Sequence, residues 1–317
     1  MSETGRKSST LSVLIPNYNH GKFITEAVSA ILNQSHRPDE IVIGDDASTD
    51  NSLEIIEEIA SCTSIVRIIK NKKRLGVIGN ITHLINSVQT RYIYLASADD
   101  MILPGLFEKS MNMLEKHPEA GLCTSLSITV DENGKNTGIY PSPVISFFCR
   151  HIPPREAVRY LRRYGSWMLG NTAVYRREAF LDAGGYIEGL GAFCDGYIHR
   201  VIALEHGACF IPEALSVWRI LSTGLAKSSK NDIRVWLGYK LKATELMRTT
   251  HRELFPSDLT DYWERAQIYR AGLIAAKRRD INSWKFVQKA LESSCRSPTW
   301  TDDLFRVVAK IFSRFAW

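Results

Sequence analysis

Short apolar runs alternate with segments of helical spacing through the first third of the chain. The runs at residues 11–15, 40–44, 66–69 and 92–95 are rich in branched side chains, as expected of buried strands. Between them, apolar residues recur at intervals of three and four, which is the spacing of one helix face. This alternation predicts an α/β fold with a mostly parallel central sheet and helices on both of its faces.

Polar clusters stand directly after three of the predicted strands. They are PNYN at residues 16–19, DDAS at 45–48 and SADD at 97–100. Turns alone use Asn, Asp and Ser, but neighbouring aspartates repel each other unless a cation or hydrogen-bond donors stabilise them. Because ligands of open parallel sheets bind beyond the carboxyl ends of the strands, the clusters favour a ligand site over simple turns.

The two aspartate pairs indicate a hard divalent cation such as Mg²⁺ or Mn²⁺, which prefers oxygen ligands. A diphosphate would complete its coordination. The sequence has no CxxC or HExxH pattern, which agrees with an ion bound through oxygen. It also has no GxxxxGK[ST] loop and no GxGxxG turn after the first strand, which argues against a P-loop ATPase and a dinucleotide-binding enzyme. A nucleotide held by carboxylates and a metal remains.

Three ordered motifs resemble the family-2 inverting glycosyltransferases of the GT-A fold. They are LSVLIPNYN at residues 11–19, EIVIGDDASTDNS at 40–52 and YLASADD at 94–100. The resemblance covers roughly residues 10–225. It implies transfer of a sugar from a nucleoside-diphosphate sugar, with a UDP-sugar as the favoured donor.

The resemblance also implies the domain organisation. We expect a GT-A glycosyltransferase domain at residues 1–228, with a nucleotide-binding half at 10–120 and an acceptor half at 121–228. A basic helical C-terminal region at 229–317 follows.

The first two motifs carry the residues that the resemblance assigns to nucleotide binding. Pro16 and Tyr18 match the loop that lines the nucleobase, where a tyrosine ring can stack on a pyrimidine. Asp46 matches the residue that hydrogen-bonds the base, and Asn80 matches a helix position that commonly faces the nucleotide.

The third motif matches the acidic metal-binding motif of the family. Asp100 is the expected metal ligand, and Asp99 is expected toward the ribose or the donor sugar. Ser97 stands where a further acid is common, and Leu221 stands near the place of a common histidine. The resemblance therefore implies Mn²⁺ or Mg²⁺ in a site with one carboxylate fewer than usual.

Asp195 is the expected catalytic base. An inverting displacement needs a carboxylate that takes the proton of the acceptor hydroxyl, and FCDGY at residues 193–197 matches the place of this base in the family. Cys194 replaces the usual preceding acid, which removes a neighbouring like charge. The alternative is that Asp195 only caps the helix that begins near Tyr197.

Four further residues match the acceptor side and the lid of the family. Trp167 and Asn171 lie where the acceptor or the donor sugar would pack, and Trp218 and Arg219 lie where a lid often begins. A tryptophan of a chain this size is more often in the core, however. Arg219 pairs either with a diphosphate or with a surface carboxylate.

The excess of positive charge lies in the C-terminal third. The formal net charge is +6, yet residues 226–317 hold 18 basic and 10 acidic side chains. Helical spacing there has expected breaks near Pro256, Arg279 and Pro298. Apolar residues from Leu304 to Ala316 share one face, which suits either a membrane interface or packing against other helices or a second subunit.

The leading interpretation is an inverting hexosyl- or N-acetylhexosaminyl-transferase of bacterial polysaccharide synthesis, such as O-antigen or capsule, with a saccharide acceptor on a lipid carrier. No signal peptide or membrane-spanning run is evident, so we expect a cytoplasmic protein, peripheral on the inner face of the membrane. A nucleotide-sugar-binding protein without catalysis is the alternative. A nucleic-acid partner is not expected, because no nucleic-acid motif accompanies the basic tail; a second copy of the chain is a candidate partner.

Overall fold

The computed structural model describes residues 10–222, 231–294 and 302. The chain divides into two units. The first comprises Met1–Glu188 and Cys194–Leu221, and the second comprises Gly189–Phe193 and Ser222–Trp317.

The N-terminal half of the first unit is a regular repeat of strands and helices. Its elements are β1 (Leu11–Asn17), α1 (Gly21–Leu32), β2 (Glu40–Asp45), α2 (Ser52–Cys62), β3 (Val66–Lys70), α3 (Gly76–Asn86) and β4 (Tyr92–Leu95). The strands lie in the order β3-β2-β1-β4 and all pair in parallel. Every apolar run predicted as a strand in this region is therefore a strand.

Helices cover both faces of this parallel part. On one face, Ile24 and Val28 of α1 and Ile56 of α2 pack with Val13 and Ile15 of β1, and all five are almost fully buried. Alternate strand residues point to the opposite face, where α3 packs against β1 and β2. The strand ends are thus held from two sides, which fixes the loops that follow them.

The second half of the first unit adds strands of two to twelve residues. Its elements are β5 (Met101–Ile102), α4 (Leu106–Lys116), β6 (Leu122–Val130), β7 (Asn136–Ile139), β8 (Arg150–Ile152), α5 (Pro154–Tyr164), β9 (Val174–Arg176), α6 (Arg177–Asp182), α7 (Cys194–Glu205) and β10 (Ala208–Arg219). β9 is antiparallel to both β4 and β6. The sheet is therefore mixed beyond β4, where the alternation of strand and helix in the sequence also breaks down.

The last strand is longer than its apolar run predicts. Sequence spacing indicated a strand only at residues 209–211, whereas β10 extends to Arg219. Its pairing with β6 shifts register after Ile211 and again after Ala214. Pro212 and Glu213 occupy the first irregularity, so they interrupt the sequence pattern without ending the strand.

The main elements described in the second unit are three α-helices: α8 (Ile233–Arg248), α9 (Ser257–Arg278) and α10 (Ile281–Glu292). The predicted breaks near Pro256 and Arg279 are confirmed. The side chains of Asp232 and Asp280 cap the N-termini of α8 and α10. The break near Pro298 and the amphipathic segment from Leu304 onward lie outside the described residues.

Among the residues described, no helix combines the length and the apolar character needed to cross a bilayer.

Candidate active site

The loops after β1 and β2 hold each other in place. Asn17 is buried, and its side-chain amide donates to Asp45 Oδ1 at 3.0 Å and to Ser48 Oγ at 3.2 Å. The main-chain N–H of Ser48 donates to Asp45 Oδ2 at 3.1 Å. Both carboxylate oxygens of Asp45 therefore accept hydrogen bonds within the protein, so this first acid of the pair orders the loop.

Asp46 anchors the start of α3. Its Oδ2 accepts from the N–H of Gly76 at 2.8 Å, and its Oδ1 accepts from the N–H of Leu75 at 2.7 Å and from Asn71 Nδ2 at 3.0 Å. The N-terminus of a helix stabilises a carboxylate in this position. Asp46 is 2% exposed, so its contact with a nucleobase stays a prediction.

Asn80 is also directed into the protein. Its side-chain amide donates to the carbonyl of Gly44 at 2.8 Å, and its Oδ1 accepts from Asn71 at 3.1 Å. A Cβ on Gly44 would lie 2.5 Å from Asn80 Oδ1, so only glycine fits there. Asn80 thus ties α3 to β2, and its contact with the nucleotide stays a prediction as well.

Tyr18 lies half-buried in the loop after β1, next to the strand residue Pro16. The guanidinium of Arg74 lies over the ring of Tyr18, 3.8 Å from its centre. Arg74 is exposed, in the basic stretch between β3 and α3. One face of the predicted base-stacking ring is therefore covered by a cation.

Asp99 and Asp100 lie between β4 and β5 and are both largely removed from water. The carboxylate of Asp99 is 3.9 Å from His20 Nδ1, and Asp100 Oδ1 accepts from the main-chain N–H of Arg219 at 2.8 Å. Burial raises the pKa of Asp100, and Ser97, in the place of the family's further acid, slightly opposes that rise.

Burial of this pair disfavours its charge. Burial raises the pKa of Asp100 well above its usual range, and repulsion from Asp99 raises it further. Burial also raises the pKa of Asp99, although His20 and Arg219 oppose that change. Two adjacent, buried carboxylates with oxygen-only donor atoms are what a hard divalent cation relieves. The residues present therefore fit a Mg²⁺ or Mn²⁺ ion at Asp100.

Arg219 connects the acidic pair to α1. It is 5% exposed, its Nε donates to the carbonyl of Asp99 at 3.1 Å, and its Nη2 binds Glu26 Oε2 at 2.6 Å. Its guanidinium also lies 4.9 Å from the centre of the Phe23 ring. Of the two roles open for Arg219, the structure therefore supports pairing with a carboxylate.

Asp195 lies half-buried in the first turn of α7, where its Oδ1 accepts from the N–H of Gly196. Opposite it is a short 3-10 turn, Gly170–Thr172. A Cβ on Gly170 would be 2.7 Å from Asp195 Oδ2, so the backbone approaches the carboxylate closely. Both expected functions of Asp195, base and helix-terminal acceptor, are compatible with this position.

The remaining predicted residues differ in exposure. Asn171 donates from its side chain to Ser127 Oγ at 3.0 Å and accepts at its main-chain carbonyl from Tyr94 OH at 2.8 Å. Trp218 is half-buried, with its ring 4.9 Å from that of Tyr140. Trp167 is fully buried, so its contact with an acceptor or a donor sugar stays a prediction. Its apolar surface contributes to the core, as large indoles usually do.

Among the described residues, a second group of possible metal ligands is separate from the pair Asp99 and Asp100. Glu119 Oε1 is 3.5 Å from His117 Nδ1 and 3.2 Å from His151 Nδ1. The two imidazole rings stack with 20° between their planes. Because a ring nitrogen binds a metal in the plane of its ring, one ion does not suit two stacked rings, and we interpret the group as two imidazoles that share the Glu119 carboxylate.

Sequence reasoning missed several residues of the site. Asn71 follows β3 directly, so the signal that revealed the other three clusters was present there too. Gly170 had no such signal, because its closeness to Asp195 depends on the tertiary fold. The same holds for His20 and Glu26, whose partners are distant in sequence.

Comparisons with known proteins agree with this geometry. The family model of Glycosyl transferase family 2 matches residues 12–183, more than half of the chain. An uncharacterized glycosyltransferase of Haemophilus influenzae is 35% identical over 107 residues, which are 34% of this chain and 33% of that protein. Glycosyltransferase GlyG of Streptococcus pneumoniae serotype 4 is 24% identical over 228 residues, covering 70% of this chain and 74% of that protein. The chain spans 33%, 48% and 62% of the length of the first curated relatives that it matches.

Solved structures share the fold. S. aureus TarS 1–349 in complex with UDP-GlcNAc superposes with a TM-score of 0.69 at 16% identity, covering 89% of this chain and 79% of that chain. Mannosyltransferase PcManGT from Pyrobaculum calidifontis, in complex with GDP-Man and Mn²⁺, gives a TM-score of 0.56 at 17% identity, covering 96% and 84%. The predicted GT-A fold is thereby confirmed.

Proposed function

The chain belongs to glycosyl transferase family 2, and on this premise we propose that it transfers a sugar, with inversion, from a nucleoside-diphosphate sugar to a saccharide acceptor. One observation carries the proposal beyond family membership. The buried acids Asp99 and Asp100 are linked through His20 and Arg219 to the loop after β1 and to the end of β10. These contacts support a donor site at the strand ends that includes the acidic pair and the loop after β1.

The carboxylate of Asp100 would hold a divalent cation, Mn²⁺ or Mg²⁺, at the diphosphate end of the donor site. When bound, such an ion offsets the negative charge of the departing nucleoside diphosphate. Asp99 lies toward the ribose or the donor sugar, and Tyr18 offers the ring face not covered by Arg74 to the base. The fit of two buried carboxylates to a hard cation supports this arrangement, as does the Mn²⁺ named for PcManGT.

Asp195 is the proposed base. The acceptor hydroxyl oxygen attacks the anomeric carbon, the bond from that carbon to the diphosphate oxygen breaks, and the hydroxyl proton passes to the Asp195 carboxylate. The nucleoside diphosphate leaves with the bonding electron pair. The close approach of Gly170 to Asp195 Oδ2 supports a carboxylate held in one orientation for this step.

We propose a UDP-sugar as the donor, which carries a hexose or an N-acetylhexosamine, and a lipid-linked saccharide of a bacterial polysaccharide such as O-antigen or capsule as the acceptor. The UDP-GlcNAc and UDP complexes of TarS support the choice of nucleotide. Such an acceptor would require a cytoplasmic enzyme at the inner face of the membrane.

Replacing Asp195 with asparagine tests the assignment of the base. We expect donor turnover to fall by at least a hundredfold, because a missing general base costs about 10²–10⁴ in rate. Nucleotide-sugar binding should persist. Asp182→Asn, an exposed acid of the same unit, is the matched control. Unchanged turnover in Asp195→Asn would remove Asp195 as the base, and absence of turnover in the parent with every donor would favour a nucleotide-sugar-binding protein.

A panel of nucleotide sugars tests the donor site directly. A ligand that binds the folded state raises its melting temperature, so we expect a Mn²⁺-dependent rise with one UDP-sugar or a few. Asp100→Asn should abolish the metal-dependent part. If no nucleotide sugar shifts the transition with or without metal, the proposed function is wrong.

A further inference from the structure

An uncharged loop with two exposed phenylalanines connects β7 to β8. Residues 136–149 contain no charged side chain and no histidine. We call residues 144–148 the aromatic tip: within it, Phe147 is 88% exposed, Phe148 80% and Val144 50%. The hydroxyl of Ser146 donates to the carbonyl of Phe148 at 2.7 Å and accepts from its N–H at 3.1 Å. A local turn therefore holds both rings in water, which is unfavourable unless another surface covers them.

The segment directly after the aromatic tip is strongly basic. Residues 150–163 contain five arginines and a single acid, Glu156. Helix α5 buries Ala157 and Leu161 on its inner face. Its outer face carries four exposed arginines: Arg155, Arg159, Arg162 and Arg163.

Arg150 brings the two features together. It follows Phe148 by two positions, and its Nη2 binds Glu156 Oε2 at 2.7 Å while its Nη1 lies 3.5 Å from Tyr160 OH. Helix α5 therefore lies beside the strand that ends the loop. Glu156 pairs with Arg150 and also lies 4.0 Å from Arg159, and as the single acid of the segment it leaves a net positive charge.

We propose that the aromatic tip and the outer face of α5 form a docking surface for an anionic lipid bilayer. The phenylalanine rings would enter the boundary between headgroups and acyl chains, and the arginines would bind headgroup phosphates. Charge complementarity selects this occupant. A two-fold contact with a second copy of the chain would place the same arginines against each other, which is repulsive.

The docking surface is connected to the candidate active site. The loop begins at Tyr140, whose ring contacts Trp218, and Ser142 Oγ donates to the carbonyl of Trp167 at 3.1 Å. From Ser142 to Phe147 the chain reaches at most roughly 18 Å. A lipid-linked acceptor, whose use rests on the proposed function, would thus meet the enzyme at the surface where its lipid is held.

Vesicle binding by the full chain, without donor or acceptor, tests the proposal. We expect binding to vesicles of phosphatidylcholine with one third phosphatidylglycerol, and much weaker binding to phosphatidylcholine alone. Phe147→Ser with Phe148→Ser should weaken it by about tenfold or more for each ring. Arg159→Gln with Arg163→Gln should weaken it by about fivefold for each charge, and less at high salt.

Matched controls alter equally exposed residues elsewhere. Leu273→Ser removes an apolar side chain that is 67% exposed, and Arg37→Gln with Lys116→Gln removes two exposed charges. Both controls should bind vesicles like the parent, and the melting temperature of the phenylalanine variant should be unchanged.

Besides a parent that fails to bind anionic vesicles, two results would overturn the proposal. One is a phenylalanine variant that binds anionic vesicles as tightly as the parent, and the other is a parent dimer that this variant converts to monomers in the absence of lipid. The nucleotide-sugar thermal shift keeps the tests separate. If the parent does not bind vesicles but still shows the thermal shift with a nucleotide sugar, docking alone is refuted. If the parent binds vesicles but shows no such shift, the proposed function alone is refuted.

Discussion

Replacing Arg219 with methionine tests whether its guanidinium pairs with a carboxylate or with the diphosphate of the donor, the two roles that its position in the sequence allows. In the structure the guanidinium is buried, with Nη2 on Glu26 and Nε on the carbonyl of Asp99. Methionine retains part of the apolar stem and removes every side-chain donor. It also leaves the main-chain N–H that binds Asp100 in place. The substitution therefore tests the guanidinium itself.

The expected loss of unfolding free energy is about 2–3 kcal/mol. A hydrogen bond from a charged donor contributes about 1.5–3 kcal/mol, and the contact with Phe23 adds about 0.5–1 kcal/mol. The ion pair adds little, because the Glu26 side chain is 54% exposed and water replaces its lost partner. Burial of the guanidinium offsets part of these gains. The melting temperature should fall by roughly 4–12 °C.

Urea unfolding and calorimetric titration with a nucleotide sugar measure the two roles in the same samples. Glu26→Gln is the matched control and should cost less than about 1 kcal/mol. We expect the donor affinity of Arg219→Met to change by less than about threefold, because a buried and paired guanidinium does not contact the diphosphate. Unchanged stability together with a tenfold loss of donor affinity would refute this reasoning.

Three further predictions follow from single contacts. Gly170→Ala places a Cβ 2.7 Å from Asp195 Oδ2, so kcat should fall at least about tenfold with the donor affinity retained; unchanged kinetics would contradict the assigned orientation. Burial lowers the pKa of His199 to about 4. The neutral imidazole therefore contributes fully to the free energy of unfolding above pH 6.5, and this contribution falls by roughly 1.4 kcal/mol per pH unit as the pH drops toward 4. Urea unfolding at several pH values should show that His199→Gln lacks this loss. Asp46→Asn turns an amide N–H₂ toward donors at the start of α3, such as Gly76 N–H, and should cost about 2 kcal/mol in thermal unfolding; a cost below about 0.5 kcal/mol would contradict this cap.

The parallel half of the fold could be predicted from the sequence because its information is local. Each strand of this half is one apolar run, and each loop that follows carries its own polar cluster. The second half could not be predicted as well. The insertion of β9 between β4 and β6 joins segments that are distant in sequence, and no local pattern encodes such neighbours. The irregularity at Pro212 in β10 hid the length of that strand for the same reason.

The candidate site divides in a similar way. The residue types at its positions, such as Asp99 and Asp100, were visible as motifs, whereas their environments depend on tertiary packing. Arg219 and Glu26 are 193 positions apart, so their pairing could not be read from spacing. The burial of Trp167 could not be read from the sequence either, because it too depends on tertiary packing.

The strand-end loops also carry backbone strain that the core must offset. Asn19 and Ala47 adopt left-handed conformations with φ values of 58° and 59°, and each follows a predicted donor residue. For alanine this costs about 1–2 kcal/mol. Hydrogen bonds hold both loops in this shape, since Asn19 Oδ1 accepts from the N–H of Thr49 at 2.7 Å and Asp45 accepts from Ser48. Strain of this kind persists only where the surroundings over-determine it. Strained loops and the mutually repelling pair Asp99 and Asp100 thus lower the stability of the strand ends, and the apolar contacts of α1, α2 and α3 with the sheet offset this loss.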